Sequence, residues 1–426
     1  MTPDTIFALS SGSPPAAIAV VRISGPHARE ALVRLGGRLP EPRVATLRTL
    51  KEPDTGEMLD RALLLWFPGP ASATGEDLAE LHLHGGRSVV AAVLSQLSDF
   101  EELRQAEPGE FTRRAFENGR IDLTEAEGLS DLLMAETEGQ RRSALAMAGG
   151  ALSRRIEEWQ RQILALAAQV EAALDFSDED DVEAELSSGW RGALCDLVAE
   201  IRALLERPPS ERLREGVRVV IAGPPNAGKS TLLNALAGRE AAITSPVEGT
   251  TRDVVEAPTA LGGVPFLLTD TAGLRESGDE VEVIGVARAR ERLAEADLVL
   301  WLGDLAERPP GNVIAVKSKA DLDQNRGPED IAVSAVTGEG LDELTAMLRQ
   351  RAGDLLPQEG EVALNRRHRR QILEAVQALE EAREAHDLIV TSEALRQARL
   401  ALDRITGRAG VEDMLDALFG TFCIGK

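Results

Sequence analysis

Gly223-Pro-Pro-Asn-Ala-Gly-Lys-Ser230 fits the pattern G-x-x-x-x-G-K-[ST], and it lies between an apolar run, Val217-Arg-Val-Val-Ile-Ala222, and a helical run from Thr231 to Ala237. That strand–loop–helix order is the context a phosphate-binding loop needs. Its glycines let the backbone curl, so that free N–H groups and a helix N-terminus face negative charge. Lys229 is then placed to reach the β- and γ-phosphates, and Ser230 to offer a hydroxyl to Mg²⁺. After the loop the same rhythm continues. Val264 to Leu268, Leu298 to Leu302, Val313 to Val316 and Ile331 to Val333 read as strands, mostly separated by helical segments. The expectation is an α/β block with a mainly parallel sheet. Gly262-Gly263 signals a hairpin, and hence one antiparallel pair early in the block.

The rest of a nucleotide site follows in order. Asp270-Thr-Ala-Gly273 ends a strand, where a carboxylate can hold the Mg²⁺ shell and Gly273 can offer its N–H to the γ-phosphate. Between the two motifs lies Gly249-Thr-Thr-Arg-Asp253, where a switch loop belongs, with Thr251 as a second hydroxyl for Mg²⁺. Ser318-Lys-Ala-Asp321 resembles the N/T-K-x-D element of GTPases, whose Asp accepts two N–H bonds from guanine, a pair that adenine cannot supply. Ser334-Ala335 resembles the element whose backbone N–H meets the guanine oxygen. Ser318 stands where Asn or Thr is usual, and its short side chain is not expected to bridge to the phosphate loop; Asp321 should still select guanine. Leu274 occupies the position of the water-orienting Gln of small signalling GTPases and cannot do that work. The charged residues downstream that could are Arg275, Glu276, Asp279, Glu280 and Glu282.

The chain has 426 residues, which suggests two to four domains. Residues 1 to about 117 mix short apolar runs with Gly and Pro, including strands at Ile18–Ile23 and Ala62–Phe67 and a helix at Val89–Leu97, and read as a small α+β domain. Residues 118–213 turn helical, with Ala144 to Leu174 as one long amphipathic run. The acidic stretch Asp175 to Glu183 interrupts them as a solvated loop or, less simply, a metal site. Helix returns over 364–420. The expected organisation is 1–117; a helical domain of 118–213 plus 355–426; and an α/β P-loop GTPase domain, 214–354, inserted between its halves.

The net charge of −24 argues against broad nonspecific nucleic-acid binding, and the absence of Tyr leaves no evident stacking platform for single-stranded RNA. No apolar stretch reaches the roughly 18 residues of a membrane span. Met1-Thr2-Pro3-Asp4 lacks the start of a signal peptide, and the two cysteines lie far apart, so a reduced, cytoplasmic protein is expected.

Three further stretches point to one family. Thr74-Gly-Glu-Asp-Leu-Ala-Glu-Leu-His-Leu-His-Gly-Gly86, Pro108-Gly-Glu-Phe-Thr-Arg-Arg-Ala-Phe-Glu-Asn-Gly-Arg-Ile-Asp-Leu-Thr-Glu-Ala-Glu127 and the tail Phe422-Cys-Ile-Gly-Lys426 resemble the MnmE (TrmE) family of GTPases acting on the tRNA wobble uridine. The resemblance covers nearly the full length. It implies an N-terminal domain that dimerises and binds a 5-formyl- or methylene-tetrahydrofolate, a helical domain and an inserted G domain. With an FAD-dependent partner of the MnmG (GidA) type, such proteins add an aminomethyl-type group at carbon 5 of the wobble uridine. Their GTPase is activated by K⁺ when two G domains meet across a homodimer. The implied GTP contacts are Asn226, Ala227, Gly228, Lys229, Ser230 and Thr231; Ser245, Val247, Thr250 and Thr251; Asp270, Thr271, Ala272 and Gly273; and Lys319, Asp321, Ser334 and Ala335. Mg²⁺ falls to Ser230, Thr251 and Asp270, and K⁺ to Asn226, Ser245, Val247 and Thr250. Glu282 matches the acid that orients the attacking water through a bridging water. Arg22, Glu80, Arg120 and Lys426 match the folate-binding positions; position 120 is often Lys, and Arg keeps the charge while changing the geometry.

The remaining residues leave alternatives open. His82 and His84 are a metal pair or, preferably, structural. Cys423 lies in a tail that carries a thiol into a site or is merely mobile. Cys195 reads as core. Asn365-Arg-Arg-His-Arg-Arg370 is a solvated helix face or a tRNA contact. Against the main reading stands a ribosome-assembly GTPase switch, which would carry a basic RNA-binding domain and would not need the Cys-Ile-Gly-Lys tail. A folate-dependent transferase with a regulatory G domain is a second alternative.

Overall fold

The computed structural model describes residues 4–175, 186–238, 256–270, 292–322, 330–358, 362–409 and 412–425. The chain divides into two compact units, one formed by Met1–Ser130 with Asp403–Lys426 and the other by Asp131–Leu402.

The first unit is built on a six-stranded sheet in the order β3-β4-β5-β2-β1-β6. Its strands are β1 (Thr5–Leu9), β2 (Ile18–Ser24), β3 (Thr46–Lys51), β4 (Met58–Phe67), β5 (Leu78–His84) and β6 (Leu103–Gln105). All neighbours are antiparallel except β1 and β6. Side chains alternate strictly across such a sheet. Phe7, Val21, Ile23, Leu64, Leu81 and Leu83 therefore share one face, where helices Ala28–Gly36 and Arg87–Ser98 close over them to form the core. The opposite face carries Arg22, Glu80 and His82, with Ile18, Leu47 and Leu63 exposed. At the β1 end of that face, Phe111 of helix Glu110–Glu117 packs on Ile6 and Ala8.

The second unit contains the α/β block and most of the helices. Its sheet runs β12-β11-β10-β7-β9-β8. The strands are β7 (Val217–Ala222), β8 (Glu256–Leu261), β9 (Val264–Asp270), β10 (Leu298–Trp301), β11 (Val313–Lys317) and β12 (Ile331–Ala332). Every pair is parallel except β8 and β9. These two meet at Gly262 and Gly263, both with positive φ, as a two-residue hairpin turn demands. Helices Lys229–Ala237 and Leu341–Gly353 bury Leu232, Leu236, Leu344 and Leu348 against Val219, Ile221, Leu268 and Leu300.

The helical part departs from the sequence reading in two places. The run Ala144–Leu174 is two helices, Glu138–Ala148 and Ala151–Asp175, parted by Gly149 and Gly150, the poorest helix formers after proline. Cys195 is exposed. On helix Ser188–Leu205 the buried positions are Trp190, Leu194, Leu197, Val198 and Ile201, and residue 195 is turned about 100° from Leu194, away from that stripe. The Trp190 indole N–H donates to the Leu166 carbonyl at 3.0 Å, joining that helix to Ala151–Asp175. The acidic run falls largely at 176–185, outside the described residues.

Candidate functional site

The phosphate loop leaves the C-terminal end of β7 and feeds helix Lys229–Ala237. Lys229 is buried, and its ammonium donates to the carbonyls of Gly223 at 3.0 Å and Pro224 at 2.9 Å, so the charge sits over the concave side of the loop. The Ser230 hydroxyl donates to the Asp270 carboxylate, the last residue of β9. These two groups, forty residues apart in sequence, converge as the ligands of one Mg²⁺ shell would have to. A hydroxyl and a carboxylate are the hard oxygen donors that Mg²⁺ prefers. Thr231 is exposed one residue further along the helix.

The stretch Ser318–Asp321 is locked to this loop. The Ser318 hydroxyl donates to the Ala227 carbonyl at 2.6 Å, and the Lys319 ammonium to the Asn226 carbonyl at 2.8 Å. The expectation that serine is too short to bridge is corrected here: a hydroxyl reaches because the end of β11 brings the backbone of residue 318 against the loop. Asn226 and Lys319 both adopt positive φ, 60° and 59°. The two strained residues face each other through that ammonium–carbonyl bond. Asp321, the last residue of the element, is exposed. The Ala320 N–H donates to the Val333 carbonyl at 3.0 Å, tying the element to the segment after β12. There Ser334 is buried, its hydroxyl accepts from the Thr337 N–H at 3.1 Å, and Ala335 follows half-buried. Asn226, Ala227, Gly228, Lys229, Ser230, Asp270, Lys319, Asp321, Ser334 and Ala335 thus lie at or beyond the C-terminal ends of β7, β9, β11 and β12, the edge where open α/β sheets bind ligands. Ser245, Val247, Thr250, Thr251, Thr271, Ala272, Gly273 and Glu282 lie outside the described residues, as does Lys426.

The second group of candidates is in the first unit. Arg22 and Glu80 stand directly opposite on β2 and β5. The Arg22 guanidinium donates to Glu80 Oε1 from Nη2 at 2.8 Å and from Nε at 3.1 Å, and it lies 5.9 Å from the centre of the Phe111 ring. Burial alone would push the Glu80 carboxyl up, but the hydrogen bonds from Arg22 and His82 hold it below the ordinary carboxylate value. Arg120 is exposed in the turn after helix Glu110–Glu117. His82 pairs with Glu80 at 3.2 Å, and His84 with Asp60 at 2.7 Å. Both histidines therefore have structural partners.

The tail packs on its surroundings as far as Gly425. Ile424 forms a bridge with Pro108, and Phe419 and Phe422 pack together. Gly425 approaches β1 so closely that a Cβ there would stand 2.3 Å from the Leu9 carbonyl oxygen. Cys423 is exposed on this segment. Ser10 Oγ, beside Gly425, is buried with no hydrogen-bond partner. It is an orphaned polar atom of the kind a bound ligand satisfies. The basic cluster is partly structural too. Asn365 and His368 form a reciprocal cap, and Arg369 donates to the carbonyls of Leu205 at 2.6 Å and Arg207 at 3.1 Å, closing the end of helix Ser188–Leu205.

The sequence reading missed the polar groups beneath these sites. Ser24, Glu76, Arg114 and Asn118 show no periodicity; the quoted stretches from Thr74 and Pro108 contain Glu76, Arg114 and Asn118 but gave them no role, and Ser24 lies in neither. Arg114 is buried and bonds Asp4 Oδ1 at 2.6 Å, Glu110 Oε1 at 3.0 Å and Glu76 Oε2 at 3.2 Å.

The class that this sheet and these interlocked loops define is the P-loop GTPases. Two family models match the chain, the GTP-binding protein TrmE N-terminus over residues 5–120 and the MnmE helical domain over residues 123–423. The tRNA modification GTPase MnmE of Rhizorhabdus wittichii is 61% identical, covering 99% of this chain and 97% of its own length. Its namesake in Erythrobacter litoralis is 57% identical, covering 99% and 100%. Among solved structures, the G domain of the T. maritima FeoB iron transporter is 27% identical over 32% of this chain and 98% of its own, with a TM-score of 0.24. The chain belongs to the MnmE (TrmE) family. Among the described residues, no helix is long and apolar enough to cross a membrane.

Proposed function

We propose that this chain is a K⁺-activated GTPase of the cytoplasm whose hydrolysis cycle drives addition of an aminomethyl-type group to carbon 5 of the tRNA wobble uridine. It works with an FAD-dependent partner and a one-carbon tetrahydrofolate. The observation that carries the GTPase half is the latch of Ser318 and Lys319 onto Ala227 and Asn226, which joins base selection to phosphate binding. The relatives, named tRNA modification GTPases and matched end to end, support the RNA half.

In this reading 214–354 is the inserted G domain, 1–117 the folate-binding and dimerising domain, and 118–213 with 355–426 the helical domain. Lys229 turns from the loop carbonyls to the β- and γ-phosphates. Ser230 and Asp270, with Thr251, hold Mg²⁺, which neutralises the phosphate charge. Asn226 offers its side-chain oxygen to K⁺, with Ser245, Val247 and Thr250 completing the site; the cation supplies the positive charge that an arginine finger brings elsewhere. Glu282 orients the attacking water, a task Leu274 cannot perform.

For the folate, Arg120 matches its acidic tail and Glu80, held by Arg22, its pterin N–H edge, and Gly425, the residue before Lys426, stands beside the orphaned Ser10 hydroxyl. Cys423 presents an exposed thiol on that same tail and is the candidate for the modification chemistry. The exposed apolar positions Ile18, Leu47 and Leu63 on the sheet face suit association with a second copy.

The test is nucleoside analysis of tRNA from a bacterial strain lacking its own wobble-uridine GTPase and supplied with this chain. The modified uridine should return with the wild type and stay absent with Lys229→Ala. A strain whose uridine stays unmodified with a soluble, GTP-hydrolysing wild-type protein would remove the tRNA reading.

A further inference from the structure

The loop before β5 is pinned on both sides of one glycine. On one side the Ser24 and Thr74 hydroxyls share a 2.7 Å hydrogen bond, and Asn118 Nδ2 donates to the Thr74 carbonyl at 2.8 Å. On the other, Glu76 Oε2 accepts from the Ser24 hydroxyl at 2.8 Å and from the buried Arg114 guanidinium at 3.2 Å. The Gly25 N–H adds a bond to the Asp77 carbonyl at 2.9 Å. Between these anchors sits Gly75, at φ 81°. A Cβ there would lie 2.7 Å from Asn118 Cβ and 3.2 Å from Arg120 Cγ. The stem of Arg120 therefore rests on Gly75, a residue with no side chain. The turn that carries it is closed from below by the Arg120 N–H donating to the Ala115 carbonyl at 2.7 Å.

We infer that Asn118 is a positioning residue for Arg120: with the pinned Thr74-Gly75-Glu76 loop it forms a preset rest that fixes the direction of the Arg120 guanidinium. This rests on the folate reading of Arg120. A long arginine loses much rotamer freedom when it grips an anion, and holding its stem in advance removes part of that cost. The anchors explain why Asn, rather than any helix-ending residue, stands at 118. Its backbone N–H ends the helix on the Arg114 carbonyl, while its side-chain amide reaches across to the loop. They also explain why the ion pairs of Arg114 lie beneath a loop that carries no chemistry of its own.

The experiment is calorimetric titration of the full-length protein with 5-formyl-tetrahydrofolate. The variants are Asn118→Ala, Asn118→Asp, Arg120→Ala and the double variant Asn118→Ala/Arg120→Ala, each checked for an unchanged unfolding temperature. Asn118→Asp keeps the shape against Gly75 but sets a carboxylate, not an amide donor, at the Thr74 carbonyl. Each Asn118 variant should weaken binding about ten-fold, the scale on which supporting residues act on a preorganised site. The double variant should bind no worse than Arg120→Ala, because Asn118 acts through that arginine. Multiplying losses in the double variant, or a folded Asn118→Asp with wild-type affinity, would overturn the positioning role and leave the folate reading standing. A wild type that binds no folate would overturn both, and a folate-binding protein indifferent to Arg120→Ala would remove Arg120 and its rest together.

Discussion

In the mainly parallel sheet β12-β11-β10-β7-β9-β8 every candidate side chain among the described residues stands at or beyond the C-terminal end of a strand, whereas in the antiparallel sheet Arg22 and Glu80 stand in the middle of theirs. The difference follows from how each sheet is covered. A parallel sheet is buried on both faces by its crossover helices, so its chemistry moves to the loops at one edge. An antiparallel sheet can leave a face open, and there a charged pair can stand in the strands themselves. In the first case the site is a convergence of loops that must be locked together, as Ser318 and Lys319 lock onto Ala227 and Asn226. In the second the register itself brings the pair together.

If convergence of loops makes the nucleotide site, its base selectivity should break at one exposed carboxylate. Asp321→Asn removes two charge-assisted hydrogen bonds to guanine, each worth roughly 1.5–3 kcal/mol, so GTP affinity should fall about 10²- to 10⁴-fold. XTP binding should rise, because xanthine offers a carbonyl to the new amide. Competition binding with labelled GDP reads both, and unchanged GTP affinity would remove Asp321 from the site.

The antiparallel unit should be the one to yield in acid. Burial would push the Glu110 carboxyl up, but the Arg104 guanidinium, the Glu107 N–H and Arg114 together hold it below the ordinary carboxylate value of 4.5, as Arg22 and His82 hold Glu80. A depressed folded value means that the stabilisation is complete above 4.5 and is lost as the pH falls through the lowered values. Unfolding temperature followed against pH should drop below that point, and Arg114→Met should shrink the drop. A loss that begins instead at neutral pH would place the sensitive groups elsewhere.

The smallest effect sharpens the latch. Ser318→Ala removes one neutral hydrogen bond, a net of about 0.5–1.5 kcal/mol, so GDP should bind roughly 2- to 10-fold more weakly, and Ser318→Asn should bind as the wild type does. Equal affinity in all three would mean that Lys319 alone holds the element.

Much of the parallel block was legible because its motifs are contiguous and sit next to strong apolar runs. The strand Val217–Ala222, the hairpin at Gly262-Gly263 and the order of the loops could be read directly. The bridge from Ser318 was not, because it depends on how far the end of β11 carries the backbone and not on side-chain length. The antiparallel unit was legible chiefly through resemblance. Facing Arg22 with Glu80 requires knowing the β2–β5 register across fifty-eight residues. The partners of Arg114 come from three separate segments. Cys195 misled because a helix with apolar neighbours in sequence still has an outer face.

The most direct test of the account is the rate of GTP hydrolysis by the full chain in K⁺ and in Na⁺ at matched ionic strength, for the wild type and for Asn226→Ala. The account predicts strong activation by K⁺ that Asn226→Ala abolishes. Equal rates in the two salts, or K⁺ activation that survives Asn226→Ala, would contradict it.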